Sequence, residues 1–180
     1  MTVRYDRGSA DEGAVPMAEP RDLLEEYVAT GKAMQLATVC GDGAPVVCNL
    51  WYAHSFEPDR LLFISRPARE HCANVRADRR VAGGILAIEL DQVGQAVRGV
   101  SFTGTARELP VTGIDEQIGV YAGRWPSAAD AIDPGRLARG ETHHRVYQID
   151  VDSWVLYDEE NFRSQPRQPI AAVTPATGAP

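Results

Sequence analysis

Ser65-Arg66-Pro67-Ala68-Arg69-Glu70-His71, with Asn74 one turn further on, brings together more anion-binding groups than any other stretch of the chain. A hydroxyl, two guanidinium groups, an imidazole and an amide are the tools that hold a phosphate, and a helix N-terminus adds unpaired N–H groups. The run sits where the strand Leu61-Leu62-Phe63-Ile64 gives way to a helix starting near Pro67, in which Ala68, Cys72 and Val75 recur at i, i+4 and i+7. His71, Asn74 and Asp78 share a flank of that helix, leaving Cys72 and Val75 to pack inward. Ser65, Arg69 and His71 are therefore candidate phosphate contacts, with Arg66 and Asn74 beside them as candidate cofactor-binding residues. The competing structural reading makes Ser65 a helix cap, Arg69 a solvated cation and His71 an ordinary boundary histidine.

A second polar run, Asn161-Phe162-Arg163 with Arg167 beyond it, follows a closing strand. Its arginines can hold an anionic substrate through a bidentate fork, or form a solvated basic tail. His143-His144 invites a metal reading, but adjacent side chains on a strand point to opposite faces and cannot grip one ion. No metal site is expected. Cys40, Cys48 and Cys72 are odd in number and lack paired zinc spacing, so they read as reduced, packed thiols. No Ser-His-Asp order and no Gly-rich phosphate loop competes.

The elements that must position these groups begin with a helix over Arg21–Thr30, where Leu23, Leu24, Tyr27 and Val28 share a face and Gly31 closes the end. The period then changes. Met34 to Cys40 alternates and meets Gly41-Asp42-Gly43, a hairpin signal, before the β-branched and aromatic run Pro45 to Ala53. A Pro-Asp turn leads to the strand Arg60 to Ser65, the helix carrying His71 follows, and Val81 to Leu90 and Val97 to Leu109 return to strand character. Gly83-Gly84 allows a bulge or the close approach of another backbone. Ile114, Ile118, Tyr121 and Trp125 mark a second amphipathic helix ended by Pro126, and Val146 to Ile149 and Trp154 to Tyr157 supply one or two closing strands. About six strands with inserted helices suggest a small barrel that closes to remove its edges.

Composition bounds the function. At 180 residues, 44% apolar and 24% charged, the chain fits one globular domain, and a net charge of −7 argues against a surface built to neutralise nucleic-acid phosphates. No apolar run is long enough to span a membrane. Residues 1–19 carry Arg4, Asp6, Arg7, Asp11 and Glu12 where a signal peptide needs an apolar stretch, so a cytoplasmic protein is expected.

Four segments, in this order, resemble the pyridoxamine 5'-phosphate oxidase-like family of FMN-binding split barrels. They are Leu36-Ala37-Thr38-Val39 with Gly41-Asp42-Gly43 and Pro45-Val46-Val47; Leu62-Phe63-Ile64-Ser65 leading to His71, Asn74, Val75 and Arg80-Val81-Ala82; Arg98 to Ala106; and Tyr147-Gln148-Ile149 with Trp154 to Phe162. The run Tyr121-Ala122-Gly123-Arg124-Trp125-Pro126 is similar to one found in a subgroup of that family. The resemblance implies a homodimer with FMN at each end of the subunit interface, and it lays Asn49 and Trp51 on the strand beneath the flavin ring. Trp51 as a core residue is the structural alternative. Arg79 stands where many members have proline, and Arg69-Glu70-His71 replaces a Ser-Arg-Lys run, so the vitamin B6 reaction is not implied.

The expectation is a mainly β protein, a six-stranded antiparallel split β-barrel with short helices spanning residues 20–168, flanked by disordered segments 1–19 and 169–180. It is expected to be an FMN-dependent oxidoreductase acting on a small molecule. A deazaflavin reductase, a haem-binding or haem-degrading protein and a flavin module without turnover are the alternatives. Asn49, Trp51, Ser65, Arg66, Arg69, His71 and Asn74 are assigned to the cofactor and Asn161, Arg163 and Arg167 to the substrate, with no catalytic residue assigned and no nucleic-acid or membrane partner.

Overall fold

The computed structural model describes residues 19–89 and 91–175. Helix α1 (Pro20–Thr30) leads into strands β1 (Ala33–Val39), β2 (Pro45–Trp51), β3 (Ala53–Ser55) and β4 (Arg60–Ser65), followed by helix α2 (Glu70–Ala77). Strands β5 (Arg80–Leu86) and β6 (Arg98–Glu108) precede an insert of helix α3 (Asp115–Arg124), a 3-10 segment (Pro126–Ile132) and helix α4 (Pro134–Ala138). Strands β7 (Arg145–Asp158) and β8 (Arg167–Ala171) complete the order.

The strands form one antiparallel sheet in the order β2-β1-β5-β6-β7-β4-β3. Strands β2 and β3 are two halves of one run interrupted at Tyr52, so the path begins and ends in the same stretch of chain and the sheet curls back on itself. Six long strands thus make the split barrel, as expected. The assigned number rises to eight because the run breaks at Tyr52 and because β8 adds a strand.

Two apolar clusters follow from strand alternation. Leu61 and Phe63 of β4 join Leu24, Met34, Leu36, Phe102 and Trp154 inside the barrel. Leu62 faces the other way, with Ile64 beside it, into a second cluster under the insert that includes Ile118, Tyr121, Leu137 and Val146. Each large side chain so buried contributes roughly 1.5–3 kcal/mol. Close approach explains Gly83, where a Cβ would lie 2.4 Å from the Phe102 ring. The bulge falls elsewhere: the register between β6 and β7 slips at Thr103/Gly104, skipping Asp152.

Three expectations change. First, α2 starts at Glu70 with Arg69 as its N-cap, rather than at Pro67, and Ala68 is exposed while Asn74 packs inward. Second, the ordered domain runs past 168, because β8 pairs with the second half of β7 in line with β4. Ile170 packs on the core, and Asp59 and Val173 exchange bonds where β4 and β8 meet, the Asp59 N–H donating to Val173 O at 2.8 Å and the Val173 N–H to Asp59 Oδ2 at 3.1 Å. Pro169 is tolerated because β8 bonds on one side only. Third, His143 and His144 lie in the loop before β7, where strand alternation does not govern them. Segments 1–18 and 176–180, and Leu90, lie outside the described residues. Among the described residues, no helix is long and apolar enough to cross a membrane.

Candidate functional site

β2 bonds to β1 along one edge, while β4 bonds to β7 and, through its first residues, to β3. Between β2 and the end of β4 the sheet is not bridged, and β2 keeps an edge whose main-chain groups have no strand partner. A cavity of about 430 Å³ occupies this split. Asn49, Leu50, Trp51 and Ile64 line it from the barrel, and Tyr121, Trp125, Ser127 and Ala128 from the insert. None of these side chains is charged. The indoles of Trp51 and Trp125 meet edge to face with centroids 4.7 Å apart, and Trp51 remains 60% exposed, so it walls the cavity and is not core.

The insert is pinned where the run breaks at Tyr52. Trp125 Nε1 donates to Tyr52 O at 2.7 Å, Tyr121 OH to Trp51 O at 3.4 Å, and Arg124 to both His54 Nδ1, at 2.7 Å, and the Gly31 carbonyl. The Arg124 guanidinium also lies 4.8 Å from the Tyr52 ring centroid.

The strand-to-helix junction is arranged differently from the expectation. Ser65, in step with Phe63, turns into the barrel, and its Oγ lies 2.8 Å from His71 Nε2. Ser65 neither caps α2 nor stands open to solvent; hydroxyl and imidazole satisfy each other. Burial, with Arg69 close by, holds the His71 imidazole below its ordinary pKa. Asn74 is likewise occupied, its Nδ2 donating to Thr38 Oγ1 at 3.1 Å and to Cys40 Sγ at 3.5 Å. Arg66 and Arg69 are exposed, and none of the ion pairs among the described residues uses either guanidinium. Arg66 follows Ile64 by two residues, at the cavity end of β4.

Asn161, Arg163 and Arg167 are not brought to this junction. Arg167 pairs with Tyr157 and Ser65 with Arg145, at opposite ends of the 14-residue β7. The Asn161 amide donates to Asp158 Oδ2 at 2.6 Å, closing a local turn, while Arg163 and Arg167 are exposed. The thiols of Cys40, Cys48 and Cys72 are all free, and burial lifts Cys48 to a pKa of about 11. The insert wall, Tyr121 and Trp125, escaped assignment to the site, although the Tyr-x-x-Arg-Trp-Pro run was its signal.

A curled antiparallel sheet, split at one seam and covered there by a helical insert, defines the class of split barrels. A sequence model of the pyridoxamine 5'-phosphate oxidase family matches residues 21–157, and the chain belongs to that family. No curated protein matches the sequence. Among solved structures, a haem-binding protein from Mycobacterium smegmatis superposes with a TM-score of 0.68 at 15% identity; the match covers 86% of this chain and 58% of that protein's length. An FAD-binding protein from Mesorhizobium loti matches with a TM-score of 0.55 at 23% identity over 73% of this chain and 88% of its own. A haem storage protein from Vibrio cholerae gives 0.56 at 16% over 74% and 91%. At these identities the likeness is one of fold.

Proposed function

We propose that the protein binds FMN in the split between β2 and β4 and acts as a flavin-dependent oxidoreductase on a small molecule. The observation that carries the reading is the uncharged, aromatic-walled cavity beside an unpaired strand edge, with the free guanidinium groups of Arg66 and Arg69 beyond the end of β4. A flavin ring needs apolar faces and main-chain hydrogen bonds at its polar edge, and its phosphate needs cations. When bound, the flavin supplies hydride exchange with the substrate. The chain's residues position it: Asn49 and Trp51 along the ring, Arg66 and Arg69 at the phosphate, with Ser65, His71 and Asn74 bracing the junction.

Two of the structural neighbours bind or store haem, but the four histidines of this chain do not favour that ligand here. His54 is held by Arg124, His71 by Ser65, and neither His143 nor His144 lines the cavity. Three free thiols suit a reducing, cytoplasmic setting.

The reading includes a homodimer. The outer face of β2, β1, β5, β6 and β7 carries Val47, Trp51, Leu86 and Tyr157, between 36% and 62% exposed, with Gln35 and Ser101 between them and Arg80 only at one end. Such a face is unusual on a monomer. Arg167, opposite Tyr157, lies at its rim, so any contact of Arg163 or Arg167 with substrate is made across the dimer.

Titrating the purified protein with FMN by fluorescence quenching tests the reading. Saturable binding at one equivalent per chain is expected; no binding of FMN, with haem or a deazaflavin bound instead, overturns it.

A further inference from the structure

The run Tyr121 to Pro126 does more than form a helix end. Among the described residues, its side chains donate to the barrel at three short stretches: the break at Trp51-Tyr52, His54 just beyond it, and Gly31 at the end of α1. Two of its side chains, Tyr121 and Trp125, are also walls of the cavity. The residue between them that touches the most partners, Arg124, does not line the cavity at all. It bonds His54 Nδ1 and the Gly31 carbonyl at once and stacks over Tyr52. Gly31 is itself tightly seated, since a Cβ there would lie 2.3 Å from Ile85 Cγ2.

We infer that Arg124 is a positioning residue for the cavity, clamping the insert so that Trp125 and Tyr121 stand as its outer wall, and that the clamp holds only while His54 is neutral. A guanidinium has donors and no lone pair to offer, so the 2.7 Å contact requires an unprotonated Nδ1. A protonated ring would set two cations in contact. Around His54 stand the Arg124 guanidinium from α3, the Phe56 ring with its centroid 5.1 Å away, and Glu25 from α1, whose carboxylate is already taken by Arg21 at 2.6 Å. Burial and Arg124 together push the imidazole down to about 4, outweighing Glu25. The inference rests on the flavin reading for the identity of the ligand only; the wall is measured without any.

The perpendicular Trp51–Trp125 pair provides that measurement, as an exciton couplet in the circular dichroism of ligand-free protein, assigned by its loss in Trp51→Phe. In the parent the couplet is expected to collapse on acidification with a midpoint near pH 4. His54→Gln, whose side-chain carbonyl accepts from Arg124 and does not titrate, is expected to keep it through that range. Arg124→Lys, too compact to span both acceptors, is expected to lose most of it at pH 7 while the β-sheet signal and melting cooperativity persist, and to bind FMN at least tenfold more weakly. An intact couplet in Arg124→Lys, or the same acid midpoint in His54→Gln as in the parent, overturns the clamp. Should the parent fail to bind FMN while the couplets behave as stated, the clamp stands and the flavin reading falls.

Discussion

Arg21 and Asp59 meet as a two-pronged ion pair, Nη1 to Oδ2 at 2.8 Å and Nη2 to Oδ1 at 2.6 Å, with the Asp59 side chain wholly buried. Trp154 Nε1, at 2.7 Å, and the Val173 N–H complete the shell of the carboxylate. One side chain therefore ties together α1, the turn before β4, strand β7 and Val173 just beyond β8.

Removing it leaves the buried indole N–H and both Nη groups of Arg21 without their acceptor, with only Glu25 still on Arg21 Nε. Asp59→Ala is expected to cost about 2–3 kcal/mol, from the unsatisfied buried indole N–H and the lost charge-assisted bonds to Arg21. Urea denaturation at neutral pH checks this; a loss under 1 kcal/mol would show that water replaces the carboxylate.

Acid should act through three groups. Burial alone would raise the Asp59 pKa, but the bonds from Arg21, Trp154 and Val173 outweigh it and hold it below the usual value. That stability is present above the unfolded carboxylate pKa and is lost as pH falls through the depressed folded one. His54 and His71, kept neutral chiefly by burial, have lowered values, so stability falls as pH drops below the ordinary histidine pKa of about 6.5. Denaturation midpoints measured from pH 7 to pH 3 are expected to decline in two stages. His54→Gln should flatten the upper one, and an unchanged profile would contradict the assignment.

The segment from Arg167 to Val173 is part of the fold. Truncation after Gln168 removes the remainder of β8 and the Val173 bonds, and is expected to lower the melting temperature by several degrees. Deleting residues 1–18 is expected to leave it unchanged. Calorimetry of the two truncations separates these outcomes.

In the proposed reading, Arg66 and Arg69 hold the phosphate. If each charge-assisted contact contributes roughly 1.5–3 kcal/mol, Arg66→Ala with Arg69→Ala weakens FMN binding by on the order of a hundredfold or more. Riboflavin, without the phosphate, should bind the double variant and the parent equally. Equal FMN affinities would move the phosphate elsewhere.

The proposed dimer face is tested at Leu86, the last residue of β5. Light scattering of the parent should report about twice the chain mass of 19.6 kDa, and Leu86→Arg, placing a cation among Trp51, Leu86 and Tyr157 at the end of the face away from Arg80, should report the single chain. A monomeric parent that binds a full equivalent of FMN would remove the interface.

Local pattern was enough for most elements. The alternation of Met34 to Val39, the Gly41-Asp42-Gly43 hairpin and the helical spacing of Ile118, Tyr121 and Trp125 each express a rule acting within a few residues, and each element stands where that rule puts it. The α2 start was misplaced by three residues, because Pro67 is compatible with both a helix N-terminus and the turn that occupies 67–69. The strand in the tail was hidden because Arg167–Ala171 has no alternation of its own and is ordered by the edge of β7.

The candidate site shows the same division. Residue order alone puts a hydroxyl, cations and an imidazole at one junction, with an aromatic strand before it. It took the folded chain to show that Ser65 and His71 satisfy each other inside the barrel, that Arg66 and Arg69 stay free, and that Trp125, 74 residues from Trp51, closes the cavity against it. The physical reason is that residue type and period state which groups a segment carries and which face they share. Whether a polar group is spent on a neighbour or left for a ligand depends on what the closing of the sheet brings against it.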